Sequence, residues 1–232
     1  MLDKDKVRNF WNSRAKSFNN VAFESIANLE QDTKNLEIKI SHETDKVFSW
    51  LGDLENKSIL DLGAGVGQWA FRFVGSGVKK VTAVEFSEEL AAIGKEEAKR
   101  RGVDKIEFVV SPAELFDTEE TFDIVFCSGL CVYLNDDQFD LLTKKLFKFI
   151  KPSGILVLRE GMAIVNRHEI NDRFSEHLQT NYSATYRTRD EYLNSLSKEL
   201  ILVKDENMFP EGHPLNKYSE TRLHLFLFNR EA

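Results

Sequence analysis

At 232 residues, with 42% hydrophobic and 30% charged residues, the chain has the composition of one well-buried globular domain, and two full domains would be small. The net charge of −7 argues against a broad nucleic-acid footprint. No apolar run reaches the ~18 residues that a membrane helix needs, the opening "MLDKDKVRNFWNSRAKSF" lacks the apolar core of a secretory signal, and two cysteines are too few for a disulfide framework. A cytoplasmic chain with reduced thiols, no nucleic-acid partner and no membrane partner is expected.

The predicted elements begin with helices. Up to about Asp53, "VRNFWNSRAKSF" and "LEIKISHETDKVFSWLGDL" carry apolar residues at three-to-four spacing. From Ser58 short strands alternate with helices: strand "SILDLG", helix "GQWAFRFVGSG", strand "KVTAVEF" and helix "SEELAAIGKEEAKRRG". Ser87 is placed to N-cap the last of these and Gly102 to close it. Strand "KIEFVVS", a loop with Pro112, strand "FDIVFCSG", helix "DDQFDLLTKKLFKFI" and strand "GILVLREG" follow. After helix "TRDEYLNSLSKE" the rhythm breaks, because "LILVKDENM" and "ETRLHLFLFNR" have no crossover helix between them and must pair antiparallel. The pattern predicts an α/β fold with a seven-stranded, doubly wound sheet, parallel except for its last strand. One domain is expected over residues 1–232: a helical N-terminal lid to residue 57, a core over 58–160, an insertion over 161–190, and a closing helix and β-hairpin over 191–232.

Ligands of such sheets bind beyond the carboxyl ends of the strands. The loops there start at Asp61, Glu85, Ser111, Cys127 and Glu160, joined by the long 207–219 loop. In "SILDLGAGVGQWAF" the glycines Gly63, Gly65 and Gly67 follow a strand and precede a helix, but Gln68 stands where a dinucleotide loop has its third glycine. Glu85 ends the second strand, where a carboxylate can accept both hydroxyls of a ribose. Asp61 sits at the lip of the first strand, poised to complement a positive group. A nucleoside with a cationic end and no pyrophosphate fits these residues better than a dinucleotide.

"ILDLGAGVGQWA", "VTAVEFSEEL", "FDIVFCSG" and "LFKFIKPSGILVLRE" resemble, in order and spacing, the successive motifs of class I S-adenosylmethionine-dependent methyltransferases. The resemblance covers Ile59 to Glu160 and, less specifically, the closing hairpin. It implies that S-adenosylmethionine, with S-adenosylhomocysteine as product, lies along Gly63, Ala64, Gly65 and Gly67, next to Gln68 and Trp69, with its ribose on Glu85. Phe86 is then the apolar wall beside the adenine. "SPAEL" stands at the adenine-contacting segment with Ser111 and Pro112 where many members carry an acid, leaving Ala113 or Glu114 for that contact, and Cys127 packs near the pocket.

Methyl transfer needs chiefly a positioned nucleophile, with a base where the acceptor is a hydroxyl. Glu160 is the first candidate, at the mouth of a central strand, followed by His168, Tyr133 and His213. Arg159 alternates away from Glu160 and is expected on the other face. Two soft ligands without a second pair at zinc-like spacing argue for metal independence, and in "LNDDQFD" Asn135 or Asp136 serves as a helix N-cap. The segment "FWNSRAKSFN" resembles a lid helix of small-molecule methyltransferases, with Phe10, Trp11 and Phe18 as cover and Arg14 near a carboxylate. The insertion, with Arg159 just before it, carries Arg167, Arg173, Arg187 and Arg189, and arginine is the better fork for carboxylate or phosphate. Glu169 and Arg173 are expected to pair on a helix face. Arg167, Arg187 and Arg189, with Tyr182 and Tyr186 nearby, are read as an acceptor site. The expected activity is methyl transfer to oxygen or nitrogen of a small polar, anionic acceptor, by a monomer or homodimer. A protein-tail methyltransferase and a cofactor-binding regulatory subunit are the alternatives.

Overall fold

The computed structural model describes residues 1–16 and 21–230, so Phe18 of the expected lid lies outside the described residues. Three N-terminal helices, α1 (Lys4–Lys16), the short α2 (Phe23–Ile26) and α3 (Thr33–Leu51), precede the sheet. Then β1 (Ser58–Leu62), α4 (Gln68–Val74), β2 (Lys80–Glu85), α5 (Glu88–Arg101), β3 (Ile106–Val110), β4 (Phe122–Ser128), α6 (Asp136–Phe149) and β5 (Ile150–Ala163) follow in alternation. The chain ends with β6 (His168–Ser175), β7 (Thr180–Thr188), α7 (Arg189–Leu196), β8 (Ile201–Asn207) and β9 (Thr221–Asn229).

Strands β3, β2, β1, β4 and β5 run parallel in that order, β9 pairs antiparallel with β5, and β8 pairs antiparallel with β9. The seven predicted strands are all present among the nine of the sheet, and those seven are parallel except for the last. The extra two strands come from the insertion. Its residues 168–188 form a β-hairpin, β6 against β7, where a helix with a Glu169–Arg173 pair was expected. Alternation explains the outcome: Tyr182, Ala184 and Tyr186 share one side of β7, and Tyr182 and Ala184 are buried beneath the lid. Glu169 instead accepts from Arg167 Nε at 2.8 Å.

Local signals set the ends of the elements that carry the site. Ser87 Oγ accepts from Leu90 N–H at 3.1 Å as the N-cap of α5, and Gly102 closes that helix in the left-handed region. Asn135, not Asp136, caps α6 through a box with Gln138. Two cores flank the sheet, one against α6 and α7 and one against α3 and α4. Along β5, Leu156, Leu158 and Met162 enter the first while Val157 enters the second, so Glu160 and Arg159 must part to opposite faces. No helix among the described residues is long and apolar enough to cross a membrane.

Candidate functional site

A cavity of about 940 Å3 opens over the carboxyl ends of β1, β2, β4 and β5. One end is lined by Gly63, Ala64, Gly65, Glu85, Phe86 and Leu130. The other is a polar chamber holding Lys39, Glu43, Arg159, His168, Arg173 and Lys217.

The glycine loop is bare for steric reasons. Gly65 has φ +58°, and a Cβ there would sit 2.9 Å from the Ala27 side chain. Gly67, at φ +84°, begins α4, and its Cβ would meet the Phe108 ring at 2.6 Å. Gly67 thus serves packing behind the loop and does not line the cavity. Glu85 is buried; its Oε2 accepts from Gly65 N–H and its Oε1 from Ser87 N–H, each at 2.8 Å. Asp61 is buried behind the loop, and its Oδ2 has no hydrogen-bond partner among the described residues.

Burial pushes Asp61 up to about 7, with the neighbouring Glu85 charge adding to it, and burial likewise pushes Glu85 up to about 7. Unfolded, both titrate near about 4. Between those values the folded chain binds more protons than the unfolded one, so this contribution to stability is full below about pH 4 and is lost as pH rises through about 7. Melting curves of the ligand-free protein should therefore show a wild-type decline from pH 5 to 8 that Asp61→Asn flattens. Parallel profiles for the two proteins would contradict this.

Of the base candidates, His168 and Tyr133 line the cavity and Glu160 and His213 do not. Glu160 does not reach the cavity. It is fully buried on the α6 face, where Oε1 accepts from Leu130 N–H at 2.9 Å, Cys131 N–H at 3.1 Å and Cys127 Sγ at 3.4 Å. Tyr133 lines the cavity, but burial pushes its phenol well up, so it is a donor and not a base at neutral pH. Its hydroxyl meets Tyr182 at 3.1 Å, and Tyr182 meets Tyr186 at 3.3 Å. His168 stays at the cavity wall, its ring 5.9 Å from that of Tyr186. His213 does not line the cavity; it stacks on Phe209 and its Nδ1 accepts from Leu215 N–H.

The arginines expected to hold an acceptor are engaged elsewhere. Arg187 is 1% exposed, donates to Cys131 O, Leu134 O and Asp136 Oδ1, each at 2.8 Å, and covers the Phe139 ring. Arg167 forks onto Asp136, Glu169 and Glu191, and Arg189 onto Asp205. Arg14 donates to the carbonyls of Ser25, Ile26 and Asn28, which fixes the segment after α1. None of these four guanidiniums lines the cavity. Tyr186 and Trp11 do line the cavity, and Trp11 stands edge-on to Tyr133 at 5.4 Å.

The remaining expected cofactor contacts divide. Trp69 and Gln68 line the cavity, but Gln68 Nε2 donates to Phe23 O and Glu24 O and so ties the lid to α4. Ala113 and Glu114 are buried away from it, Glu114 accepting from Gln138 Nε2 at 2.7 Å. Cys127 is buried behind the loop, its Sγ 3.8 Å from Cys131 Sγ. With Glu160 these thiols form a trio of ligand-type atoms within 4.8 Å of one another, all buried. Of the chamber residues, Lys39, Glu43 and Lys217 were not singled out from the sequence. The alternation of β5 pointed to Arg159, by sending it opposite to Glu160.

Residues 59–154 match the family described as a methyltransferase domain. The chain is 31% identical over 167 residues to phosphoethanolamine N-methyltransferase 1 of Triticum aestivum, covering 69% of this chain and 31% of that protein. It is 36% identical over 121 residues to demethylmenaquinone methyltransferase of Lactococcus lactis, covering 50% of this chain and 46% of that protein. By fold it is similar, at TM-score 0.72 and 19% identity, to phosphoethanolamine N-methyltransferase 1 of Haemonchus contortus in complex with phosphoethanolamine and S-adenosylhomocysteine, over 98% of this chain and 49% of that one. The chain spans about a third of the length of the plant relative, 31% of it.

Proposed function

We propose that this chain, which matches a methyltransferase domain over residues 59–154, is a class I methyltransferase that uses S-adenosylmethionine to move a methyl group to oxygen or nitrogen of a small, oxyanion-bearing acceptor. The observation that carries this reading is one cavity whose lining brings the glycine loop and Glu85 together with Lys39, Arg159, Tyr133, Tyr182 and Tyr186. Phosphoethanolamine, which the Haemonchus protein binds, is an acceptor of that chemical kind.

The residues fit the cofactor. Gly63 and Gly65 keep the loop backbone bare, a Cβ at either one meeting Leu130 or Ala27 at 2.9 Å; Glu85 offers a carboxylate for ribose hydroxyls at the cavity wall, and Asp61 carries a buried carboxylate oxygen without a partner among the described residues. When bound, S-adenosylmethionine supplies an electrophilic sulfonium methyl group. The chain's part is to hold the acceptor in line and to exclude water. Trp11, on the N-terminal helix, covers the chamber, and the Tyr133, Tyr182 and Tyr186 hydroxyls hold protons that can bond acceptor oxygens. Of the imidazoles of His168 and His177 at the wall, His177 is tied through Nε2 to Leu29 O at 3.0 Å, and His168 can take a proton from a hydroxyl or ammonium acceptor.

Calorimetry should detect S-adenosylmethionine and S-adenosylhomocysteine binding and none for NAD; the reverse would end this reading. Incubation with methyl-labelled cofactor and a metabolite extract should place label in small molecules; label in protein would favour the tail methyltransferase, and label nowhere the regulatory subunit. Transfer is expected to persist in excess EDTA, because the trio of Cys127, Cys131 and Glu160 does not line the cavity. Loss of activity restored by a divalent ion would contradict that.

A further inference from the structure

Three cations line the α3 and α4 side of the chamber: Lys39, Arg72 and Arg159. Arg72 is ion-paired with Glu24 and lies over the Trp69 ring at 4.7 Å. Arg159 is 8% exposed; it pairs with Glu43 at 2.6 Å and donates from Nη1 to Ser128 Oγ at 2.9 Å. Its Nε is buried and has no partner among the described residues. Lys39 donates to a neutral acceptor, Asn28 Oδ1 at 3.0 Å, and makes no ion pair among the described residues, and burial pushes its ammonium down. Lys217, also in the chamber, pairs with Glu30 at 2.6 Å, so three carboxylates, Glu24, Glu30 and Glu43, stand against four cations, and one donor of Arg159 has no partner among the described residues. A buried positive charge in excess is costly unless an anion joins it.

We propose that Lys39 and the Nε group of Arg159 form the anion-binding floor of the chamber, taking phosphate or carboxylate oxygens of the acceptor. This rests on the methyl-transfer reading above and adds the residues that select the acceptor. Glu43 and Ser128 fix the guanidinium, so the fork is organised before the acceptor arrives. Arginine supplies directed donors, and Lys39 supplies a point charge beside them.

The test uses the full chain saturated with S-adenosylhomocysteine, titrated separately with inorganic phosphate and acetate in a calorimeter. Wild type should bind at least one of the two, phosphate alone marking a phosphate-bearing acceptor and acetate alone a carboxylate-bearing one. Lys39→Gln should weaken that binding at least tenfold, and Arg159→Lys several-fold. Lys95→Gln, on the exposed face of α5, should leave it unchanged and so controls for net charge. S-adenosylhomocysteine affinity should stay within twofold in Lys39→Gln, which also reports that the variant is folded. No binding of either anion to wild type, or an equal loss in Lys95→Gln, would overturn the proposal. A parallel loss of S-adenosylhomocysteine affinity in Lys39→Gln would also overturn it, assigning the cations to the cofactor's carboxylate. Failure of wild type to bind S-adenosylhomocysteine at all would instead defeat the underlying methyl-transfer reading.

Discussion

Glu85→Ala should weaken S-adenosylhomocysteine binding by about 1–3 kcal/mol, roughly a 5- to 150-fold rise in Kd, through loss of charge-assisted hydrogen bonds. The carboxylate ends β2 at the cavity wall and also accepts from Gly65 N–H and Ser87 N–H. Alanine therefore removes both the ribose acceptor and the brace that shapes the glycine loop. Glu85→Gln separates the two, since its amide oxygen can still accept one backbone bond while the charge is gone. Binding must ionise a carboxyl that burial pushes up to about 7. The wild-type affinity should accordingly rise as pH climbs from about 6 to 8 and level off, and Glu85→Gln should erase that rise. Calorimetry across that range reads both effects. Unchanged affinity in Glu85→Ala would remove Glu85 from the ribose site.

Legibility in the sequence followed the range of the forces involved. Strand and helix order, the Ser87 cap and the antiparallel closing pair are local or nearest-neighbour effects, and they were readable. The glycine loop and Glu85 belong to the same category, because spacing after a strand fixes where they stand. The acceptor side was misread where long-range packing decides. Arg187 looked available because nothing within four residues pairs with it, yet its partners Cys131, Leu134 and Asp136 lie more than fifty positions away. The insertion looked helical from one Glu–Arg spacing, while the alternation of Tyr182, Ala184 and Tyr186 already favoured a strand. Lys39 sits on a helix face that only the tertiary fold turns toward the strand ends.

The largest structural effect is expected at Glu160. Its Oε1 accepts from the part-buried N–H of Leu130 and the buried N–H of Cys131, and these begin the turn that delivers Tyr133 to the cavity. Glu160→Ala leaves both donors without a partner, at a cost of about 1–3 kcal/mol each. For a chain of this length a loss of about 3 kcal/mol lowers Tm by roughly 6–12 °C. Glu160→Gln keeps an acceptor oxygen and adds no charge. Because burial pushes the Glu160 carboxyl up, the neutral amide is also the nearer mimic of the protonated native group. That variant should melt within a few degrees of wild type and bind S-adenosylhomocysteine normally. A general base behaves in the opposite way: glutamine there would cut kcat by about 10²–10⁴ with stability intact. Glu160 is sealed from the cavity, so kcat in Glu160→Gln should stay within a few-fold, while His168→Ala should lower it if the acceptor must lose a proton. A collapse of kcat in Glu160→Gln at unchanged Tm would return the base to β5, and with it the chemistry to the α6 face of the sheet.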